Sequence, residues 1–254
     1  MSQSIWTRCG ASSNVRPLAL RGAFRVVESQ HVTSTRKLVD SDAEQELLEE
    51  LLEGVKPPVP LGPDFQRLHY LLYTPFRHPP LRYGSRFGVK VERGIWYGAK
   101  ELSCAFAEVA YYRLLFLEGT AAELGTVIVE LSAFAVPIRT KRGVDLTAPP
   151  FDAFEAQLAS KTRYDASQAM GVDMRAAGVD AFLYVSARDP ARGTNVGLFR
   201  PVFTVTKPKR LDTWTCTATR DKVELKKKDL LSRGQYTYPR EDFLVRGKLP
   251  RPAT

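Results

Sequence analysis

Cysteine and histidine are scarce in this 254-residue chain. The three cysteines, Cys9, Cys104 and Cys216, are odd in number and far apart, and none sits in a CxxC or Cys/His ligand spacing. That argues against a disulfide framework and against a zinc site, and it fits a reducing cytoplasm. His31, His69 and His78 are the only histidines, and none stands beside an evident nucleophile. A Ser/His/Asp or Cys/His mechanism therefore has little material. Long hydrophobic runs are missing too. The best, Leu114 to Leu117 and Val127 to Leu131, are interrupted by Arg113, Glu118 and Glu130, far short of the roughly 18 residues that a membrane span needs. The opening stretch has no apolar segment following a basic one, so no secretory signal is expected. GxGxxG, GxxxxGK(S/T), HExxH and GxSxG are all absent, which removes the usual dinucleotide, phosphate-loop, zinc-protease and hydrolase signatures.

What is present is an ordinary globular composition, with 44% hydrophobic and 26% charged residues. A chain of this length buries roughly 70 to 75% of its unfolded surface, enough for a full core without covalent staples. The formal net charge is +9, which points to an anionic partner without naming it. The charge is unevenly spread. From Pro201 onward there are 13 Lys plus Arg against 6 Asp plus Glu, a net of +7, whereas residues 40–53 hold seven acids and no base.

Periodicity sketches the elements. Ala23 to Val27 reads as a strand. Ser41 and Glu44 form a capping box ahead of a Leu47/Leu48/Leu51/Leu52 stripe that Gly54 closes, an amphipathic helix by pattern. Pro63-Asp64 opens a second helix that should stop before Pro75. Residues 94–98 (GIWYG) read as a strand, and 101–117 as a helix with Leu102, Ala105, Phe106, Val109 and Tyr112 on its apolar side. Further strands are expected at 126–134, 179–186 and 197–205, a helix at 164–177 capped by Gly178, and a hairpin over 211–225. The organisation expected is a strand and helical appendage over 1–79, a core over 80–205 and a basic extension over 206–254, within one compact unit.

Candidate chemistry lies in polar residues set among apolar ones. Arg86 sits in the glycine-flanked turn Ser85-Arg86-Phe87-Gly88, Tyr97 ends the GIWYG strand eleven residues later, and Glu108 follows after eleven more, beside Ala105 and Val109. A carboxylate at such a position needs a partner, and a buried Arg86 to Glu108 ion pair is the plain structural reading. Ser186 follows the apolar run 179–185, and Asn195 lies in the loop beyond it. Strand ends of this kind commonly present ligand contacts, although a plain turn uses the same residues. Cys104 reads as a small buried residue rather than a nucleophile.

The succession GSRFG, IWYG, LSCAFAEVAYYR and YDASQAMGVDMRAAGVDAFLYVSARDPARGTNVGLF resembles the RES domain family, whose members include NAD-consuming toxins of bacterial toxin–antitoxin pairs. The resemblance covers roughly residues 80–205. Gly88 stands where the family's turn usually continues with Asn, and Val185 where Pro commonly precedes the Ser. The resemblance implies an α+β, ADP-ribosyltransferase-like fold, a mixed β-sheet core flanked by helices, with the N-terminal helical segment as an addition. It implies Arg86, Tyr97 and Glu108 as catalytic residues, and Arg25, Arg86, Tyr97, Ser186 and Asn195 as substrate-binding residues, with NAD as substrate and neither metal nor further cofactor. It implies cleavage of the nicotinamide–ribose bond with water or phosphate as acceptor, and an antitoxin partner of helix-turn-helix type. Homo-oligomer formation stays open, and no membrane or direct nucleic-acid contact is expected. Arg82, Arg188 and Arg192 would suit a further phosphate and equally NAD itself. Two alternatives keep the same sequence features: ADP-ribosyl transfer to a specific protein, and a basic binding module in which Trp214, Tyr236 and Tyr238, interleaved with lysines and arginines, contact nucleic acid or an acidic protein.

Overall fold

Two unusually long strands organise the chain. In the computed structural model, which describes residues 3–29, 39–79, 83–229 and 234–251, β1 (Arg16–Glu28) and β3 (Val127–Asp145) run antiparallel along most of their length. The remaining strands are β2 (Trp96–Ala99), β4 (Ala181–Val185), β5 (Thr194–Leu198), β6 (Asp212–Ala218), β7 (Lys222–Lys227) and β8 (Gln235–Pro239). Their order is β1-β2-β5-β4-β3-β6-β7-β8, and β1 also pairs β3. The five strands β1, β2, β5, β4 and β3 therefore close on themselves, and β6, β7 and β8 extend as a wing from the first half of β3. Only the β3–β4 pairing is parallel. The result is a mixed α+β architecture, an eight-stranded sheet flanked by helices. Strands from all three expected segments share this sheet.

A bulge fixes what β1 presents. Leu20 pairs with Ile138 and Ala23 with Val136, so β1 carries one extra residue there. Side chains alternate with period two, and one inserted residue exchanges the faces beyond it. Leu18 and Leu20 before the bulge consequently share an apolar cluster with Ala23 and Val27 after it, together with Trp96. Arg25 belongs to that same alternation, and its guanidinium carbon lies 5.5 Å from the centre of a Trp96 ring.

The helices are α1 (Ile5–Arg8), α2 (Asp42–Gly54), α3 (Pro63–Gln66), α4 (Tyr70–Arg77), α5 (Leu102–Gly119), α6 (Glu155–Leu158) and α7 (Asp165–Ala176). The long α5 lies between the closed strands and the wing and is apolar on most sides. Cys104, Phe106, Ala107, Ala110, Tyr111, Leu114 and Leu117 are buried, whereas Tyr112 is half exposed. The buried face is thus wider than the expected stripe, and Tyr112 lies off it.

Several expectations require correction. α4 runs through Pro75 to Arg77 instead of stopping before it; Leu71, Leu72 and Phe76 are buried, and this packing outweighs the lost backbone bond in so short a helix. The strand expected over 197–205 is Thr194–Leu198, because its pairing to β2 and β4 ends at Leu198 and Pro201 offers no donor. α2 has its capping box, yet none of its residues is buried, so its leucine stripe faces water. Trp214, Tyr236 and Tyr238 are not a stacking surface. They join Phe106 in a core cluster beneath α5, with the Phe106 and Trp214 rings 4.7 Å apart. No helix among the described residues is long and apolar enough to cross a membrane.

Packing of α7 on the turn around Arg86 leaves no room for a methyl group. A Cβ at Gly171 would lie 1.9 Å from the Phe87 carbonyl oxygen. Gly171→Ala is expected to lower unfolding free energy by roughly 2 kcal/mol or more, because backbone must move apart from backbone. Urea denaturation followed by fluorescence measures this; a midpoint equal to wild type would contradict the packing.

Candidate active site

Glu108 lies on the second turn of α5, on the wall of a cleft of about 860 Å³. Its Oε1 accepts two hydrogen bonds, from the Ser186 hydroxyl at 2.9 Å and from the Asn195 amide nitrogen at 2.7 Å. Among the described residues Oε2 has no protein hydrogen bond. One oxygen is therefore tethered while the other stays available.

The tethers are built by β4, β5 and the turn that joins them. Ser186, one residue past β4, is fully buried. Its hydroxyl accepts from the backbone amides of Arg188 and Asp189 at 3.1 and 3.0 Å, which leaves its proton for Glu108. Asp189 in turn accepts from the amides of Ala191 and Gly193, and Ser186 N donates to Gly193 O. The turn is thus closed by its own short side chains. Asn195 faces Ala99 of β2 and Tyr184 of β4 in register. Its Oδ1 accepts from the Cys104 thiol at 3.1 Å.

The opposite wall is the turn 84–88. Ser85 and Gly88 form an isolated bridge, and Gly84 has φ +77 with Gly88 O only 2.4 Å from where a Cβ would stand, so a side chain is excluded there. Tyr97 holds this turn. Its hydroxyl accepts from Phe87 N at 3.1 Å and is 2.9 Å from the Ser85 hydroxyl. Burial pushes the Tyr97 phenol up to about 12.

No ion pair joins Arg86 to Glu108 among the described residues, contrary to the plain structural reading. Arg86 is buried and donates instead to Ser160 O at 2.8 Å and Leu158 O at 3.5 Å, with its guanidinium carbon 4.6 Å from the Tyr164 ring centre. Arg25 donates to Tyr97 O at 2.5 Å, while its Nε is buried without a partner among the described residues. Burial lowers Arg25 to about 10. Arg25 also lines the cleft, where a desolvated guanidinium favours an oxyanion partner.

Of the residues singled out by sequence, Arg25, Arg86, Tyr97, Glu108 and Asn195 all line this one cleft, and Ser186 stands behind Glu108. Arg188 and Arg192 do not line it. Arg188 is buried with its guanidinium carbon 3.7 Å from the Tyr111 ring centre, and Arg192 pairs with Glu155 at 2.5 Å. Arg82 lies outside the described residues. Sequence reasoning missed Tyr83, Tyr112, Tyr164 and Tyr184, which also line the cleft. Tyr112 carried a signal, since it follows Glu108 by one helical turn; the others become neighbours only through the fold. Groups of His, Cys, Asp or Glu able to hold a metal ion are not found among the described residues.

Residues 64–219 match the RES domain family. No curated protein matches the chain. Among solved structures, a chain of the M. tuberculosis MbcT–MbcA toxin–antitoxin complex is similar at 12% sequence identity and a TM-score of 0.46, with 86% of this chain and 94% of that chain covered.

The raised Tyr97 phenol has a consequence for stability. The folded chain holds this proton more tightly than the unfolded one, whose phenol titrates near 10. Its contribution is whole below pH 10 and is lost as pH rises from 10 to about 12. Wild type should therefore lose stability across that window more steeply than Tyr97→Phe. Parallel denaturation curves at pH 8, 10 and 11 (about the middle of the window) test this, and equal slopes for the two proteins would refute it.

Proposed function

Because this chain belongs to the RES domain family, we propose that it degrades NAD by cleaving the bond between nicotinamide and ribose, with water or phosphate as acceptor. The observation that carries the reading is Glu108 itself, a carboxylate on the wall of the cleft with Oε1 held by Ser186 and Asn195 and with Oε2 bonded to none of the described residues.

The chemistry suits these groups. The nicotinamide ring of NAD is already a cation, so when the C–N bond breaks the electron pair leaves with the ring, which becomes neutral. No general acid is needed. Positive charge develops on the ribose C1 and its ring oxygen, and Glu108 Oε2 supplies the matching negative charge or accepts a ribose hydroxyl. Oxygen of the acceptor then forms the new bond to C1, and where the acceptor is water its proton passes to solvent. Arg25 and Arg86, which both line the cleft, would hold the pyrophosphate. Tyr97 shapes the pocket through the turn it anchors, rather than through a free hydroxyl.

The cleft, at about 860 Å³, falls within the size of sites that enclose small ligands and cofactors, about 300 to 1,000 Å³. The proposed biological role is that of a toxin held in check by an antitoxin, and the proposed compartment is the cytoplasm, where NAD is abundant.

The test is purified protein incubated with NAD, with and without phosphate, and chromatography of the products. Nicotinamide release is expected, with free ADP-ribose or its phosphorylated form identifying the acceptor. Glu108→Gln should lower kcat at least about 100-fold, the usual loss when one preorganised electrostatic group is removed. Intact NAD after incubation with folded wild-type protein would overturn the reading, and label moving from NAD into a protein band would replace it with ADP-ribosyl transfer.

A further inference from the structure

Asn195 can hold Glu108 only if its carboxamide faces the right way. The amide has a donor end and an acceptor end of nearly the same shape, and a half-turn about its last torsion exchanges them. With Nδ2 toward Glu108 the contact is a 2.7 Å hydrogen bond. With Oδ1 there, two acceptors would face each other and the tether would fail.

The carboxylate itself favours Nδ2, and a donor on the far side of the amide reinforces that orientation. Among the described residues the one hydrogen-bond donor to Asn195 Oδ1 is the Cys104 thiol, at 3.1 Å. Cys104 is fully buried in the first turn of α5, four residues before Glu108, so thiol and carboxylate share one helix face. The same cysteine lies beside the turn that presents the second tether. At Gly193, whose carbonyl accepts from Ser186 N, an added Cβ would lie 3.1 Å from Cys104 Cβ and 3.2 Å from Sγ. The thiol is wedged between the turn that presents Ser186 and the strand that presents Asn195.

We infer that Cys104 is a positioning residue: its S–H fixes the Asn195 carboxamide so that Nδ2 holds Glu108 Oε1 and leaves Oε2 free for the reacting sugar. The inference rests on the NAD-cleaving reading for its effect on rate, but not for its effect on the amide. The role needs a thiol that stays protonated. Burial first, and then the charges of Glu108 and Asp189, raise the Cys104 thiol well above its ordinary range, so the donor persists across working pH. The same features make it a poor nucleophile, since only the thiolate attacks.

Three variants separate orientation from packing. Cys104→Ser keeps a donor, whereas Cys104→Ala and Cys104→Val remove it, with Val filling the space. In NAD turnover, Ala and Val should lower kcat about five- to tenfold, the scale of one modest hydrogen bond, with KM within about twofold of wild type. Ser should keep at least about half of the wild-type kcat if a donor is what matters. In parallel, 1H–15N spectra of the Asn195 side-chain amide should change in Ala and Val relative to Ser, whether or not the protein consumes NAD. Wild-type kcat in folded Cys104→Ala, a loss in Ser equal to that in Ala, or an Asn195 amide signal unmoved by Ala would each overturn the inference. Absence of NAD turnover in wild type with the amide signal behaving as stated would instead remove only the proposed reaction.

Discussion

Everything at this site depends on how one carboxylate is kept on a largely buried helix. Glu108 sits among alanines and aromatic side chains of α5, where an unsatisfied charge would cost several kcal/mol. The fold meets that cost with two neutral donors on a single oxygen, Ser186 and Asn195, rather than with a cation. The choice has structural consequences. Both donors belong to the β4–β5 hairpin, so α5 can be satisfied only when the helix is docked against the closed strands. The tether therefore requires the β4–β5 pairing to be in place.

The arginines follow the complementary logic. Arg86 and Arg188 are both buried, and neither neutralises Glu108. Each instead donates to carbonyls of the segment 158–161, Arg86 to Leu158 and Ser160 and Arg188 to Lys161, and each lies over a tyrosine ring. Two cations thus fasten one loop to the body and bring Tyr164 to the cleft. Several bases of the C-terminal wing are also engaged. Lys222, Lys227, Lys228 and Arg240 pair with Glu224, Asp212, Glu130 and Glu118. Exposed pairs of this kind add little stability, but they lower the free positive charge of a wing that by composition looked strongly basic.

How much of this could be read beforehand varies by element. The capping box at Ser41 and Glu44, the helix around Glu108 and the strand at Tyr97 rest on local patterns, and the structure contains each of them. Strand length was not legible in the same way. Only Ala23 to Val27 of β1 has continuous strand-like composition; Arg16 to Gly22 is strand because β3 lies beside it, and the bulge that turns Arg25 toward Trp96 has no signature beyond a glycine. At the site, residue type announced that Glu108 needed a partner, but Arg86, the arginine that the spacing offered, was not it. Distance along the chain does not reveal that β4 and β5 deliver Ser186 and Asn195 first. The exposed leucines of α2 show the limit in reverse: amphipathic spacing states what a helix can bury, not whether the described chain covers it.

Among the described residues no ion pair forms at Glu108, and this bears directly on what the cleft can do. Had Arg86 paired with it, the negative charge would be spent within the protein, and an incoming cation would have to compete with a guanidinium. With hydroxyl and amide donors on one oxygen only, the carboxylate keeps most of its field for the cleft. A buried neighbour registers that field: besides burial, the charge of Glu108 helps hold the Tyr184 phenol above its ordinary range, so it remains a neutral hydroxyl. A fixed anion facing neutral tyrosines, with arginines turned to loop carbonyls and ring faces, is an environment that favours positive charge at one point and hydrogen-bonding partners around it. A sugar carbon losing a cationic base presents that distribution.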